Sequence, residues 1–313
     1  MQGLELAKAY YEEFGAALLE REFSALMPYV AVGLFGQGSE CFGYDDAISQ
    51  DHDFEPGFCI LLPGEEIVSR RSAFLLERAY AKLPREYRGF TREILSPVGG
   101  ARRGVLRTEE VFQNLVGTGD GLLTDEQWLF VPEQGLAEAT NGLIFFDGYG
   151  EVTSIRQRLA YYPEDVRRKK LAGNLLLMAQ SGQYNYSRCI RHGERAAAQL
   201  AIFNFVESLM SAAFLLNRKY QPYYKWRFRA FRMLSALGEQ GDALEELLST
   251  GNDADFTGKK LETIERLSAA VVSLLKEQDL SRKDSADLEV QAYAVNDHIL
   301  DGTIRNLHIL AAV

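Results

Sequence analysis

Residues 30–63 read VAVGLFGQGSECFGYDDAISQDHDFEPGFCILLP, and this stretch decides the fold of the first half of the chain. Its opening residues, 30–36, form an apolar run that leads into a glycine turn, which predicts a buried strand. Residues 57–63 form a second apolar run that ends at a proline. The stretch therefore predicts two neighbouring strands joined by a long polar connection.

Four residues of that connection carry its chemistry: Gly38 and Ser39 follow the first strand, and Asp51 and Asp53 precede the second. Residues two apart on an extended chain point to the same side, so the two carboxylates are predicted to converge. Adjacent carboxylates repel each other unless cations lie between them, and Mg²⁺ favours carboxylate and phosphate oxygens. The glycine turn offers N–H groups and a hydroxyl to phosphates. The motif predicts a two-metal phosphoryl-transfer site with both aspartates as metal ligands.

This motif resembles that of the DNA polymerase β-type nucleotidyltransferase superfamily, in which a Gly-Ser turn precedes an Asp-x-Asp pair. The longer string from Gly36 to Phe54 is more similar still to a bacterial family of unknown function, DUF4037, which is related to the aminoglycoside and lincosamide nucleotidyltransferases. The later segment 216–226, LNRKYQPYYKW, adds to the likeness. The resemblance extends over most of the chain.

The resemblance implies roles for particular residues. Asp51 and Asp53 would bind two Mg²⁺ ions, and Gly38 and Ser39 would hold the β- and γ-phosphates of a nucleoside triphosphate. Lys225, with Tyr220, would reach the triphosphate from the second half of the chain. Enzymes of this superfamily place a third acid on a later strand. Here that strand is GVLR at 104–107, which contains no acid, and the nearby candidates are Glu109, Glu110 and Asp147.

Outward from the motif, the chain is predicted to fold as an α+β protein with two domains. The first, residues 1–162, is a nucleotidyltransferase domain with a mixed sheet and flanking helices, and the second, residues 163–313, is an all-helical bundle. Helical periodicity and turn signals predict the following elements of the first domain: helix 3–28, strands 30–36, 57–63 and 103–107, helix 69–83 capped by Ser69, a helix capped by Thr108, and a hairpin at 142–153. Helices of the second are predicted at 164–180, 186–217, 224–248, 259–276 and 285–312.

Near the start of the predicted helix 186–217, Arg188, Arg191, His192 and Glu194 have two interpretations of equal weight. One is an exposed helical surface with ion pairs between neighbouring turns. The other is a functional one, in which the arginines face phosphate or acceptor and Glu194 is the general base that deprotonates an acceptor hydroxyl. Two basic segments, 167–170 and 218–232, are predicted to be solvated helix faces unless one of them forms a local anion-binding patch.

Composition limits the other classes of function. The net charge is −10, which disfavours a general nucleic-acid binder. The acidic excess lies in residues 1–162, which have 25 acidic and 14 basic residues against 19 and 20 in residues 163–313. We expect no membrane-spanning stretch, no signal peptide and a cytoplasmic location. Cys41, Cys59 and Cys189 are expected to be buried thiols.

These observations predict an enzyme that moves a nucleoside monophosphate, most simply AMP from Mg-ATP, to a hydroxyl of a small acceptor and releases pyrophosphate. The acidic first half would attract a cationic, hydroxylated acceptor such as an aminoglycoside-like compound. Because no third acid is evident, a catalytically degenerate nucleotide-binding or sensor protein of the same fold is the alternative. A helical scaffold with a vestigial first domain would bind no nucleotide at all.

Overall fold

The computed structural model describes residues 1–49, 54–92 and 103–313, which form two compact units. The first unit comprises residues 1–123 and 131–160, and the second comprises residues 124–130 and 161–313. The predicted α+β class is confirmed, because the first unit has a mixed sheet with flanking helices and the second is helical.

The first unit is built on a four-stranded sheet with the order β5-β2-β1-β6. Its strands are β1 (Ala31–Leu34), β2 (Cys59–Leu62), β5 (Gly104–Arg107) and β6 (Leu143–Asp147), and a separate pair is formed by β3 (Glu86–Tyr87) and β4 (Phe90–Thr91). β1 is antiparallel to both β2 and β6, whereas β2 and β5 are parallel. The helices up to residue 160 are α1 (Gly3–Tyr10), α2 (Ala16–Glu22), α3 (Arg70–Ala81), α4 (Thr108–Val116), α5 (Asp125–Phe130), α6 (Glu133–Thr140) and α7 (Glu151–Arg158), of which α5 groups with the second unit.

The core of the first unit explains the two continuous apolar runs. Every residue of β1 and β2 is buried, as expected for strands that are covered on both faces. Val32 and Ile60 pack in one cluster with Tyr10 of α1 and Leu76 of α3. The Tyr80 hydroxyl donates to the Phe58 carbonyl (2.9 Å), and burial raises the pKa of Tyr80 to about 12. This bond fixes the chain where it enters β2.

The second unit contains the remaining helices, most of which pack around one long apolar helix. They are α8 (Glu164–Met178), α9 (Ser187–Arg191), α10 (Arg195–Leu216), α11 (Tyr224–Arg232), α12 (Gly241–Ser249), α13 (Ala254–Glu277), α14 (Leu288–Asp297) and α15 (Gly302–Asn306). Contrary to the expectation from sequence, α10 is long and apolar enough to cross a membrane. However, 67% of its most apolar window is buried inside the protein, as in the core helix of a bundle.

Several local predictions are wrong. Two predicted helices are each divided in two, 224–248 into α11 and α12 and 285–312 into α14 and α15. Residues 142–153 do not form a hairpin, because β6 ends at Asp147 and helix α7 follows; the Asp147 carboxylate accepts from the Gly150 N–H (2.7 Å) and the Thr153 N–H (2.8 Å) at the start of that helix. Thr108 is the first residue of α4 rather than its cap. The predicted helix 186–217 is interrupted between α9 and α10 at Gly193, whose φ of +75° is unfavourable for other residues.

Other local predictions are confirmed, except that of a buried Cys189. The Ser69 hydroxyl accepts from the Ser72 N–H (3.2 Å) and caps α3 as expected. Cys41 and Cys59 are buried thiols, whereas Cys189 is partly exposed.

Candidate active site

The turn after β1 is held in a conformation that requires glycine. Gly36 and Gly38 have φ values of +101° and +113°, which residues with a side chain rarely adopt. The Asn141 amide fixes Gly36 from both sides: its Oδ1 accepts from the Gly36 N–H and its Nδ2 donates to the Gly36 carbonyl, each at 2.8 Å. The turn that carries Ser39 is therefore anchored to the segment between α6 and β6.

Arg156 of α7 supports the same anchor from behind. Its guanidinium donates to the carbonyl oxygens of Ala139 (3.2 Å), Thr140 (2.9 Å) and Asn141 (2.7 Å), and it lies 5.3 Å from the centre of the Phe35 ring. Burial lowers the pKa of Arg156 to about 10, so the side chain remains charged at neutral pH. The result is a continuous link from Arg156 through Asn141 to Gly36.

The turn presents donors that the rest of the described chain does not use. Ser39 and the residues after it form a tight 3₁₀ segment, in which the Tyr44 N–H donates to the Ser39 carbonyl (2.8 Å). Within residues 1–49, 54–92 and 103–313, the backbone N–H groups of Gly38 and Ser39 have no hydrogen-bond acceptor. Adjacent N–H groups of this kind, in a glycine turn, suit a phosphate group.

The edge of the sheet at which β1 ends also carries a buried ion-pair network that the sequence did not reveal. Because β2 is antiparallel to β1 and parallel to β5, the end of β1 and the starts of β2 and β5 share this edge. Arg103 precedes β5 and contacts the carboxylates of Glu40 and Glu55 at 3.2 Å each. The side chains of Arg103 and Glu40 are each only 7% exposed. The network joins the residue after Ser39 to the segment that leads into β2.

The predicted metal ligands, Asp51 and Asp53, lie outside the described residues. In the described part of the chain, no group of three or more His, Cys, Asp or Glu side chains is arranged to hold a metal ion. Glu40 and Glu55 are carboxylates at this edge, and both contact the Arg103 guanidinium. The two-metal site predicted from the sequence therefore stays a prediction.

The three candidates for a third acid lie at the opposite edge of the sheet. Glu109 and Glu110 follow the end of β5, and Asp147 pairs with Ala31 at the start of β1. That is roughly 10 Å or more from the end of β1, at about 3.3 Å per residue. The carboxylate of Asp147 is in addition bonded to Gly150 and Thr153. None of the three is placed to share a metal with the Gly38-Ser39 turn.

The other predicted site residues belong to the second unit, where they form two separate groups. Arg188 is exposed and stacks on Tyr184, with its guanidinium 4.9 Å from the ring centre, and the exposed Glu194 precedes α10 without capping it. Tyr220 packs against Tyr161 and Tyr162 with ring centres 5.3 and 5.0 Å away.

Lys225 is exposed near the start of α11, two residues before Arg227, which forms an ion pair with Glu207. Glu207 lies 13 residues along α10 from Glu194. At 1.5 Å per residue this is roughly 20 Å. The structure therefore does not bring Glu194 and Lys225 together.

Comparison with known proteins finds a family whose model matches part of the chain. Residues 128–227 match the family described as "Domain of unknown function (DUF4037)". The resemblance to DUF4037 predicted from sequence is confirmed over that range, which contains Arg188, Glu194, Tyr220 and Lys225. The range does not include residues 36–54, so the predicted likeness of the first motif to this family stays a prediction. No curated protein matches the chain.

Among solved structures, the chain is similar to a nucleotidyltransferase-like protein from Exiguobacterium sibiricum 255-15. The two share 11% sequence identity, and the similarity covers 93% of this chain and 89% of that chain with a TM-score of 0.37. A structural similarity with this TM-score and identity gives no information about the site or its substrates.

Proposed function

We propose that the protein is a nucleotidyltransferase that moves AMP from Mg-ATP to a hydroxyl of a small acceptor and releases pyrophosphate. The observation that carries the proposal is the anchored turn after β1, where the N–H groups of Gly38 and Ser39 have no acceptor among the described residues. Asp53 is two residues before Glu55 in the sequence, and Glu55 reaches this edge through Arg103. These contacts support a phosphate site next to the Asp51 and Asp53 segment.

In the proposed reaction, the acceptor oxygen bonds to the α-phosphorus and the bond to the β-phosphate oxygen breaks, so that pyrophosphate leaves. Bound Mg²⁺ would neutralise the charge that develops on the phosphates. Gly38 and Ser39 are assigned to the β- and γ-phosphates. Tyr220 and Lys225 are assigned to the triphosphate. Glu194, with Arg188, is predicted from the sequence to act on the acceptor as general base, but it lies roughly 20 Å along α10 from the residue that contacts α11. The proposal therefore leaves the general base unassigned.

The acceptor is proposed to be cationic, since the excess of acidic residues lies in the first half of the chain. An aminoglycoside-like compound, which combines hydroxyl and ammonium groups, has this chemistry. A panel of such compounds is therefore the first set to test.

The test measures nucleotide binding and turnover separately. Wild type and the Asp51→Asn/Asp53→Asn variant are melted with and without Mg²⁺ and each nucleoside triphosphate, and pyrophosphate release is followed with the acceptor panel. A hundredfold excess of nucleotide over Kd should stabilise the wild type by about 2.7 kcal/mol, and the variant should lose this Mg²⁺-dependent gain. Glu110→Gln, which removes an exposed carboxylate at the opposite edge, is the matched control and should behave as wild type.

Each result has a distinct meaning. Nucleotide binding without pyrophosphate release from any acceptor would identify a degenerate nucleotide-binding protein. No stabilisation by any nucleotide would contradict the proposed site itself.

A further inference from the structure

The two basic segments of the second unit, residues 167–170 and 218–232, differ in how their charges are used in the structure. In residues 167–170, the charges are used inside the unit. Arg167 is 2% exposed and pairs with Glu164, and Lys169 is fully buried and donates to carbonyl oxygens near the C-terminus. Lys170 likewise donates to two backbone carbonyls. This segment stabilises the bundle and leaves no anion-binding surface.

The second segment, residues 218–232, contains six basic residues and no acidic one. Three of the six are neutralised by carboxylates of other helices: Arg218 by Glu164, Arg227 by Glu207, and Arg232 by Asp242 and Glu245. For Lys219 and Lys225, no carboxylate of the described residues lies within ion-pair distance. Positive charge is therefore left at the surface here.

Aromatic rings lie beside these charges. Tyr223 and Tyr224 are 45% and 68% exposed, with ring centres 4.4 Å apart. The Lys225 ammonium lies 5.2 Å from the Trp226 ring, and the Arg229 guanidinium lies 6.0 Å from the same ring. We call Lys219, Tyr223, Tyr224, Lys225, Trp226 and Arg229 the 219–229 surface. Since Lys225 and Arg229 are four residues apart on α11, they share one helix face.

The 219–229 surface is held in place at both ends by one side chain. The Asn217 amide donates to the carbonyls of Ala213 (2.8 Å) and Ala236 (3.0 Å), and its oxygen accepts from the Ala236 N–H (2.9 Å). Gln221 also donates to the Ser211 hydroxyl (3.2 Å). Because its ends are fixed, the segment presents its rings and charges at low cost in conformational entropy.

We propose that the 219–229 surface binds single-stranded nucleic acid. Exposed rings next to lysine and arginine match that ligand, whose bases stack on aromatic side chains while its phosphates contact cations. The net charge of −10 does not oppose this locally, because residues 163–313 have 19 acidic and 20 basic residues.

The test is fluorescence anisotropy with dye-labelled oligouridylate and oligothymidylate of 4, 8 and 12 nucleotides, in 50 to 200 mM salt. Affinity should rise with length, and log K should fall with log salt with a slope of about −1.4, as expected for two phosphate contacts, by Lys219 and Lys225, at about 0.7 each. Lys225→Gln should reduce the slope by about 0.7. Tyr224→Ala should weaken binding at least about fivefold, the lower limit for loss of one base stack.

Matched controls come from exposed residues elsewhere in the second unit. Lys259→Gln and Tyr293→Ala remove the same groups from other helices and should leave the affinity within about twofold. Lys225 is shared with the proposed triphosphate site, but it is unchanged in the Asp51→Asn/Asp53→Asn variant, which should therefore bind the strand as wild type does. Strand binding without nucleotide stabilisation in that variant would separate this proposal from nucleotidyl transfer.

Three outcomes would overturn the proposal. They are no binding at 50 mM salt, equal affinity for uridine monophosphate and the 12-nucleotide strand, and binding to phosphatidylserine vesicles in place of the oligonucleotides. The second would indicate a site for a single nucleotide and the third a lipid-binding surface.

Discussion

Replacing Asn141 by alanine tests whether the glycine turn after β1 is held for binding. The change removes both hydrogen bonds to Gly36, each 2.8 Å long, and leaves a buried N–H and carbonyl without that partner. A net contribution of about 1 kcal/mol for each bond, plus incomplete rehydration, predicts a loss of about 2–4 kcal/mol in the free energy of unfolding. Urea unfolding should show this as a lower midpoint at unchanged m value.

The functional effect of the same change is measured by nucleotide-dependent stabilisation. Without Asn141 the Gly38 and Ser39 N–H groups lose their fixed orientation, and we expect the Kd for Mg-nucleotide to rise about tenfold. At a nucleotide concentration one hundred times the wild-type Kd, stabilisation should then fall from about 2.7 to about 1.4 kcal/mol.

Gln291→Ala is the matched control for Asn141→Ala. Gln291 is a fully buried amide whose side chain donates to the carbonyls of Lys283 (3.1 Å) and Ser285 (2.6 Å) in the second unit. Its loss should lower stability comparably while leaving nucleotide stabilisation at the wild-type value. The reasoning is refuted if Asn141→Ala unfolds like wild type, or if both variants lose nucleotide stabilisation equally.

Three further changes probe other parts of the structure. Gly36→Ala should cost about 1–3 kcal/mol through backbone strain alone, because φ is +101° and an added Cβ would meet no atom within 4 Å; urea unfolding measures it. Burial, with nearby acids, raises the pKa of Glu151, so the ionised carboxylate destabilises the folded state above the pKa of an ordinary glutamate. Glu151→Gln should therefore raise the melting temperature at pH 7, and this gain should disappear below about pH 4, where the wild-type carboxyl is protonated in both states. Burial tends to raise the pKa of Glu164, but the ion pairs with Arg167 and Arg218 outweigh it and lower the pKa. The carboxylate therefore stabilises the folded state at neutral pH, and this stabilisation is lost on acidification. Glu164→Gln should lower the free energy of unfolding by about 2 kcal/mol at pH 7 and by progressively less as the pH falls below 4.

The sequence predicts those parts of the fold that depend on neighbouring residues. The strands β1 and β2 follow from their apolar runs, and the cap of α3 follows from Ser69. The hairpin at 142–153 was wrong because an Asp-Gly pair after a strand is compatible with two continuations. Thr153 returns a hydrogen bond to Asp147 and starts a helix, which a turn signal alone does not distinguish from a second strand arm.

The support of the candidate site could not be predicted, because its contacts join distant parts of the chain. Asn141 is 105 residues from Gly36, and Arg103 is 63 residues from Glu40. Neither residue type is unusual at its position, and no local pattern points to either. The separation of Glu194 from Lys225 was equally hidden, since it depends on the length of α10 and on where α11 returns along it.

The sheet register also limits how a metal could be held at the candidate site. Carboxylates that follow β5 or end β6 lie at the opposite edge, so only residues after β1, or before β2, β5 or β6, can approach the Gly38-Ser39 turn. Of the described carboxylates at that edge, Glu40 and Glu55 flank the Arg103 guanidinium, which already supplies the positive charge between them. Mg²⁺ at the proposed site would then depend on Asp51, Asp53 and the oxygens of the nucleotide itself. Because few protein ligands hold Mg²⁺ weakly on their own, metal and nucleotide are expected to bind together rather than in sequence.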